Sequence, residues 1–196
     1  FSCINRLLVS HDLKPLDTLS QYREVFTFPI EDYYKRVGFD FDKIPFSMLA
    51  HEYMEDYQEK SYACDLHSDV LDVVNKAKNL GFSQTVLSAS KMDYLLKQME
   101  TLHVDDLFDS IYGINDIYAK SKVELAHAFK QTCSLDDEIY FVGDSVHDYE
   151  VAKNIGAKCI LVTTGHQNRA TLESVNVPVM DSLMESLDLI YERDKD

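Results

Sequence analysis

Asp144 and Asp148 close the string Tyr140-Phe-Val-Gly-Asp-Ser-Val-His-Asp148, an apolar run that ends in a glycine and two carboxylates. The apolar run reads as a buried strand, and Gly143 lets the backbone turn sharply after it. Asp144 is then thrown above the sheet edge, with Asp148 on the first turn of the next helix. Two carboxylates this close repel unless a cation or protons hold them together. A hard divalent ion fits that need, because Mg2+ takes only one or two protein carboxylates and completes its shell with phosphate and water. The plainer alternative is that Asp148 caps the helix and Asp144 forms the turn. Ser88-Ala89-Ser90 offers a second chemistry: hydroxyls and free amides at a helix N-terminus bind anions, unless Ser88 or Ser90 is merely the N-cap. Lys120 and Lys122 flank Ser121 at the start of another helix. A lysine there opposes the helix dipole and so hints at phosphate binding, although most such lysines are simply solvated.

The elements that must position these residues divide the chain in two. Residues 1–64 read as helical, with no strand evident and many tyrosines and phenylalanines. Ile4, Leu7 and Leu8 share a face, and Pro45 suits the first turn of a helix over 46–54. From residue 65 to 196, helices alternate with short apolar strands. Ser68 is expected to cap a helix stopped by Gly81, and 84–88 to form a strand. Ser90 is expected to cap a helix bearing Met92, Leu95, Leu96 and Met99. A strand over 108–113 precedes a helix capped by Ser121. The strand 138–143, a helix over 147–154 closed by Gly156, a strand over 159–163 and a final helix opened by Ser182 complete the pattern. This alternation predicts an α/β fold with a parallel sheet, whose sites gather at the carboxyl ends of the strands.

Composition narrows the partners. With 34 acidic against 19 basic residues, the formal net charge is −15. That balance disfavours nucleic acid and anionic membranes, while leaving room for a small anion held by local cations and amides. No apolar run approaches the roughly 20 residues of a membrane span. Cys3, Cys64, Cys133 and Cys159 are scattered without metal-type spacing, as expected of reduced thiols in a cytoplasmic protein.

Thr85-Val-Leu-Ser88, then Lys122, then Phe141-Val-Gly-Asp-Ser-Val-His-Asp148 resemble, in that order, the second, third and fourth motifs of the haloacid dehalogenase superfamily. The likeness is to its phosphoglycolate-phosphatase-like branch. It implies a Rossmann-like core over 65–196 with a small helical cap over 1–64, and a Mg2+-dependent phosphatase of a small phosphorylated metabolite. Ser88 and the amide of Ala89 would then hold the phosphate, and Lys122, or less suitably Lys120, would neutralise it. Asp144 would bind Mg2+ directly. Asp148 would bind it through water or steady Lys122. The Lys-Pro pair usual in the family is missing here. Arg23, Thr27 and Phe28 are candidate cap residues facing the site, Arg23 for a second anionic group. A phosphosugar mutase of the same superfamily, or a catalytically dead binding module, are the alternatives; a dehalogenase fits less well, because the motif provides for a metal.

The resemblance also implies an Asp-x-Asp-Gly motif, whose first aspartate takes the phosphoryl group and whose second acts as acid and base. Asp40-Phe41-Asp42 is followed by Lys43 and Ile44 and has no apolar strand before it, so it reads as a decoy. The true motif is expected on a strand upstream of Phe1, seated between the strand ending at Ser88 and the one ending at Gly143.

Overall fold

Four helices and no strand make up the N-terminal third: α1 (Ser2–Ser10), α2 (Leu19–Val25), α3 (Ile30–Arg36) and α4 (Phe46–Ser61). The structure, a computed structural model, describes residues 1–115 and 122–195. In α1, Ile4, Leu7 and Leu8 all turn inward, as their spacing requires. They pack with Leu49 of α4 and with Tyr22, Tyr33, Tyr34 and Phe39 into one aromatic-rich core. Thr18 caps α2 by accepting the amide of Gln21. In α3, Glu31 and Asp32 lie in the first turn and Lys35 and Arg36 in the last, each sign facing the favourable end of the helix dipole. The Asp40-Phe41-Asp42 string is a surface turn between α3 and α4. Its Asp40 carbonyl accepts the amides of Lys43 and Ile44, and its carboxylate pairs with Lys43.

The remainder alternates as expected: α5 (Val70–Asn79), β1 (Thr85–Lys91), α6 (Met92–Thr101), β2 (Ser110–Ile114), α7 (Lys122–Lys130), β3 (Tyr140–Gly143), α8 (Val146–Ile155) and β4 (Lys158–Val162), then α9 (Arg169–Glu173), β5 (Val179–Met180) and α10 (Leu183–Arg193). Every strand pair is parallel. The strands fall into two sheets, β1-β2 and β3-β4-β5. Leu87 of β1 and Phe141 of β3 nonetheless pack on the same cluster, built on Ala126 of α7 and Val151 and Ile155 of α8. The two sheets therefore share a core across the break. Among the described residues, no strand pairs with the other edge of β1 or of β3.

Two expected caps do not form. Ser68 does not cap α5; Asp69 is the residue at its start, and the Asp69 carboxylate instead accepts the amides of Leu183 and Met184 at the head of α10. Ser90 does not cap α6, because β1 runs on to Lys91. The β1–β2 register shifts between Leu87 and Lys91, and Ser88-Ala89-Ser90 occupies that irregularity. Gly113 is required beside it, since a Cβ there would lie 2.8 Å from the Met92 Cα. The Ser182 cap does form, with its side chain accepting the amide of Glu185. The Ser121 cap and Lys120 lie outside the described residues. The short elements α9 and β5 were not expected from the sequence.

Candidate active site

Ser145 opens α8, and the capping box it forms explains where Asp148 points. The Ser145 hydroxyl accepts the Asp148 amide, while Asp148 Oδ2 accepts the amides of Asp144 and Ser145, each at 3.0 Å, and the Ser145 hydroxyl at 2.8 Å. Asp148 Oδ1 takes a hydrogen bond from Lys122 Nζ at 2.5 Å. Burial pushes the Asp148 carboxyl up, but Lys122 and the surrounding donors outweigh it and hold the group below its ordinary value. The Lys122 ammonium also lies 5.5 Å from the centre of the Phe141 ring. Gly143 is needed for this packing, because a Cβ there would fall 2.3 Å from the Cβ of Asp148. Asp148 thus both caps α8 and orients Lys122.

Asp144 is placed differently. Its Oδ2 accepts the backbone amide of His166 at 2.7 Å, and no described residue donates to Oδ1. The approach depends on Gly165, where a Cβ would stand 1.9 Å from Asp144 Oδ2. The next two residues tie this loop to the helical region. His166 accepts or donates at Nδ1 to the Tyr22 hydroxyl at 2.7 Å and stacks on Phe26 with ring centres 4.5 Å apart. Burial lowers the His166 titration, with the Asp144 charge opposing it. Gln167 accepts the Val146 amide at the head of α8 and donates to the Phe26 carbonyl. Sequence reasoning passed over Gly165, His166 and Gln167. The signal was available, since they follow the carboxyl end of β4, the same position that singled out Ser88 and Asp144.

Ser88, Ala89, Lys122, Asp144 and Asp148 all line one cavity of about 300 Å³ between the helical region and the strand ends. Ser88 Oγ accepts the Ser90 amide at 3.1 Å, which leaves its hydrogen to donate into the cavity. Of the three candidate cap residues, Phe28 lines the cavity. Arg23 instead donates to the Thr164 carbonyl, and Thr27 to the Phe28 carbonyl.

The donor set can be tested against Mg2+. Among the described residues, no three His, Cys, Asp or Glu side chains gather as a ready-made metal cage. Mg2+ does not need one: a single carboxylate beside a phosphate and water suffices. Asp144, with one oxygen tethered and the other without a donor, fits that role. Asp148, whose two oxygens already accept hydrogen bonds, fits a supporting one.

Residues 1–162 match the family model of the haloacid dehalogenase-like hydrolases. The chain belongs to that family. No curated protein sequence matches it. Among solved structures, it is similar to a haloacid dehalogenase-like hydrolase from Streptococcus pneumoniae, with 19% identity and a TM-score of 0.81 over 96% of this chain and 89% of that one. A predicted phosphatase from Clostridium acetobutylicum gives 18%, 0.80, 97% and 89%. A predicted phosphoglycolate phosphatase from Haemophilus somnus gives 16%, 0.66, 96% and 89%. Such likenesses establish the HAD-like, Rossmann-like α/β fold.

Proposed function

We propose that this protein is a Mg2+-dependent phosphatase of a small phosphorylated metabolite, working through an aspartyl-phosphate. The observation that carries the reading is that Ser88, Ala89, Lys122 and Asp144, drawn from three separate segments, line a single cavity at the strand ends. Ser88 and the Ala89 amide hold the phosphoryl oxygens. Lys122, aimed by Asp148, neutralises the charge that builds on them. Asp144 holds Mg2+, which when bound supplies further positive charge to the phosphate. Residues 1–64 act as the cap and 65–196 as the core. Four unpaired cysteines, and no described helix long and apolar enough to cross a membrane, accord with a cytoplasmic setting.

The nucleophile belongs, on this reading, to a further strand seated between β1 and β3. Parallel strands covered on both faces are normally buried along their length. Here β4 is buried from Cys159 to Val162, whereas β1 is only half-buried throughout and Val142 of β3 is 37% exposed. A strand in the break would cover both and pair their open edges.

The test is hydrolysis of p-nitrophenyl phosphate by the protein with that strand present. Turnover that requires Mg2+ and stops on chelation supports the proposal. Absence of turnover, or turnover untouched by a chelator, contradicts it.

A further inference from the structure

The wall of the cavity is divided by chemistry. Its Lys and Asp side chains, Lys91, Lys122, Asp144 and Asp148, come from the core side, as do its two imidazoles, His147 and His166. The helical region contributes eight aromatic rings, with Met54, Gln58 and Ser61 among the rest, and no Lys, Arg, Asp, Glu or His. Lys91 is already engaged, bonded to Asp93 and lying over the Tyr94 ring. A phosphate seated at Ser88 and Lys122 therefore directs its ester group toward rings rather than toward a second cation.

We propose that the phosphate ester taken by this site carries an uncharged aromatic alcohol, an aryl or arylalkyl phosphate. The proposal rests on the phosphatase reading above and names its substrate class. A carboxylate or second phosphate on the ester group would be buried against rings without a counter-charge, which is strongly unfavourable. A flat ring gains stacked or edge-on contact with the same surface, including the parallel Tyr53–Tyr57 pair, whose centres are 5.6 Å apart. The size agrees: about 300 Å³ is at the small end of ligand pockets, room for a phosphoryl group and one ring.

Two phosphonates that cannot be hydrolysed separate this proposal from the reading beneath it, because their binding needs no nucleophile. The protein with the proposed strand present is titrated by calorimetry with phenylphosphonate and with phosphonoacetate, both with Mg2+ present. Phenylphosphonate is expected to bind at least about tenfold more tightly. Tyr57→Ala, at a partly exposed wall position, is expected to shrink that ratio about threefold or more. Equal affinities, tighter phosphonoacetate, or an unchanged ratio in Tyr57→Ala overturns the aromatic substrate class while leaving the phosphate site standing. Binding of neither probe overturns the phosphate site, and the substrate class with it.

Discussion

The backbone amide of His166 meets Oδ2 of Asp144 at 2.7 Å, joining residues 22 apart in sequence across neighbouring strands. That bond fixes the carboxylate on which the proposed chemistry turns. It exists because β3 and β4 are parallel and adjacent, so the loops beyond their carboxyl ends meet above the sheet.

Gly165 is what lets the loop come so close. Gly165→Ala places a methyl group inside the contact distance of Asp144 and must displace the carboxylate. The expected result is a folded protein whose Mg2+ requirement rises, or whose activity falls, by roughly 10–100-fold. Activity titrated against Mg2+ measures it.

Lys122 and Asp148 form a nearly buried ion pair, their side chains 15% and 3% exposed. Lys122→Met leaves a carboxylate buried without its counter-charge, which destabilises by about 3–5 kcal/mol. Urea unfolding at neutral pH checks this. A loss below about 1 kcal/mol would mean that the hydrogen bonds from Ser145 and the Asp144 amide suffice alone.

A different carboxylate contributes to the acid response of the helical region. Asp56 of α4 accepts from Arg6 of α1 and from Lys60, and those bonds hold its carboxyl well below the usual range. A depressed folded-state pKa gives stability that is present above the unfolded value of about 3.9 and is lost as pH falls through the folded value. Because the pair is part-exposed, the effect is modest. Asp56→Asn should therefore lower the melting temperature slightly at pH 7, by a margin that narrows as pH falls below about 4. Melting curves across that range show it.

Much of this was legible from residue types and spacing. The helical first third, the βα alternation and the placement of Ser88, Lys122, Asp144 and Asp148 near strand ends all follow from local patterns, which the chain obeys in three dimensions. The caps failed for a physical reason: Ser90 looks like an N-cap only if β1 ends at Ser88, and pairing of Lys91 with Ile114 carries the strand past it. Likewise Asp69 serves α10, a partner 114 residues away that no local signal reveals. The two residues of β5 are too few for any periodicity. The place of Gly165 beyond β4 could have flagged it, but its role, the space it leaves for Asp144, is defined only once β4 lies beside β3.

Asp144 carries the central claim. Asp144→Asn keeps the size of the side chain while removing the charge that would hold Mg2+. In the protein with the proposed strand present, Mg2+-dependent hydrolysis of p-nitrophenyl phosphate should fall at least about a hundredfold. Turnover equal to that of the unsubstituted protein, with the same Mg2+ dependence, would contradict the account.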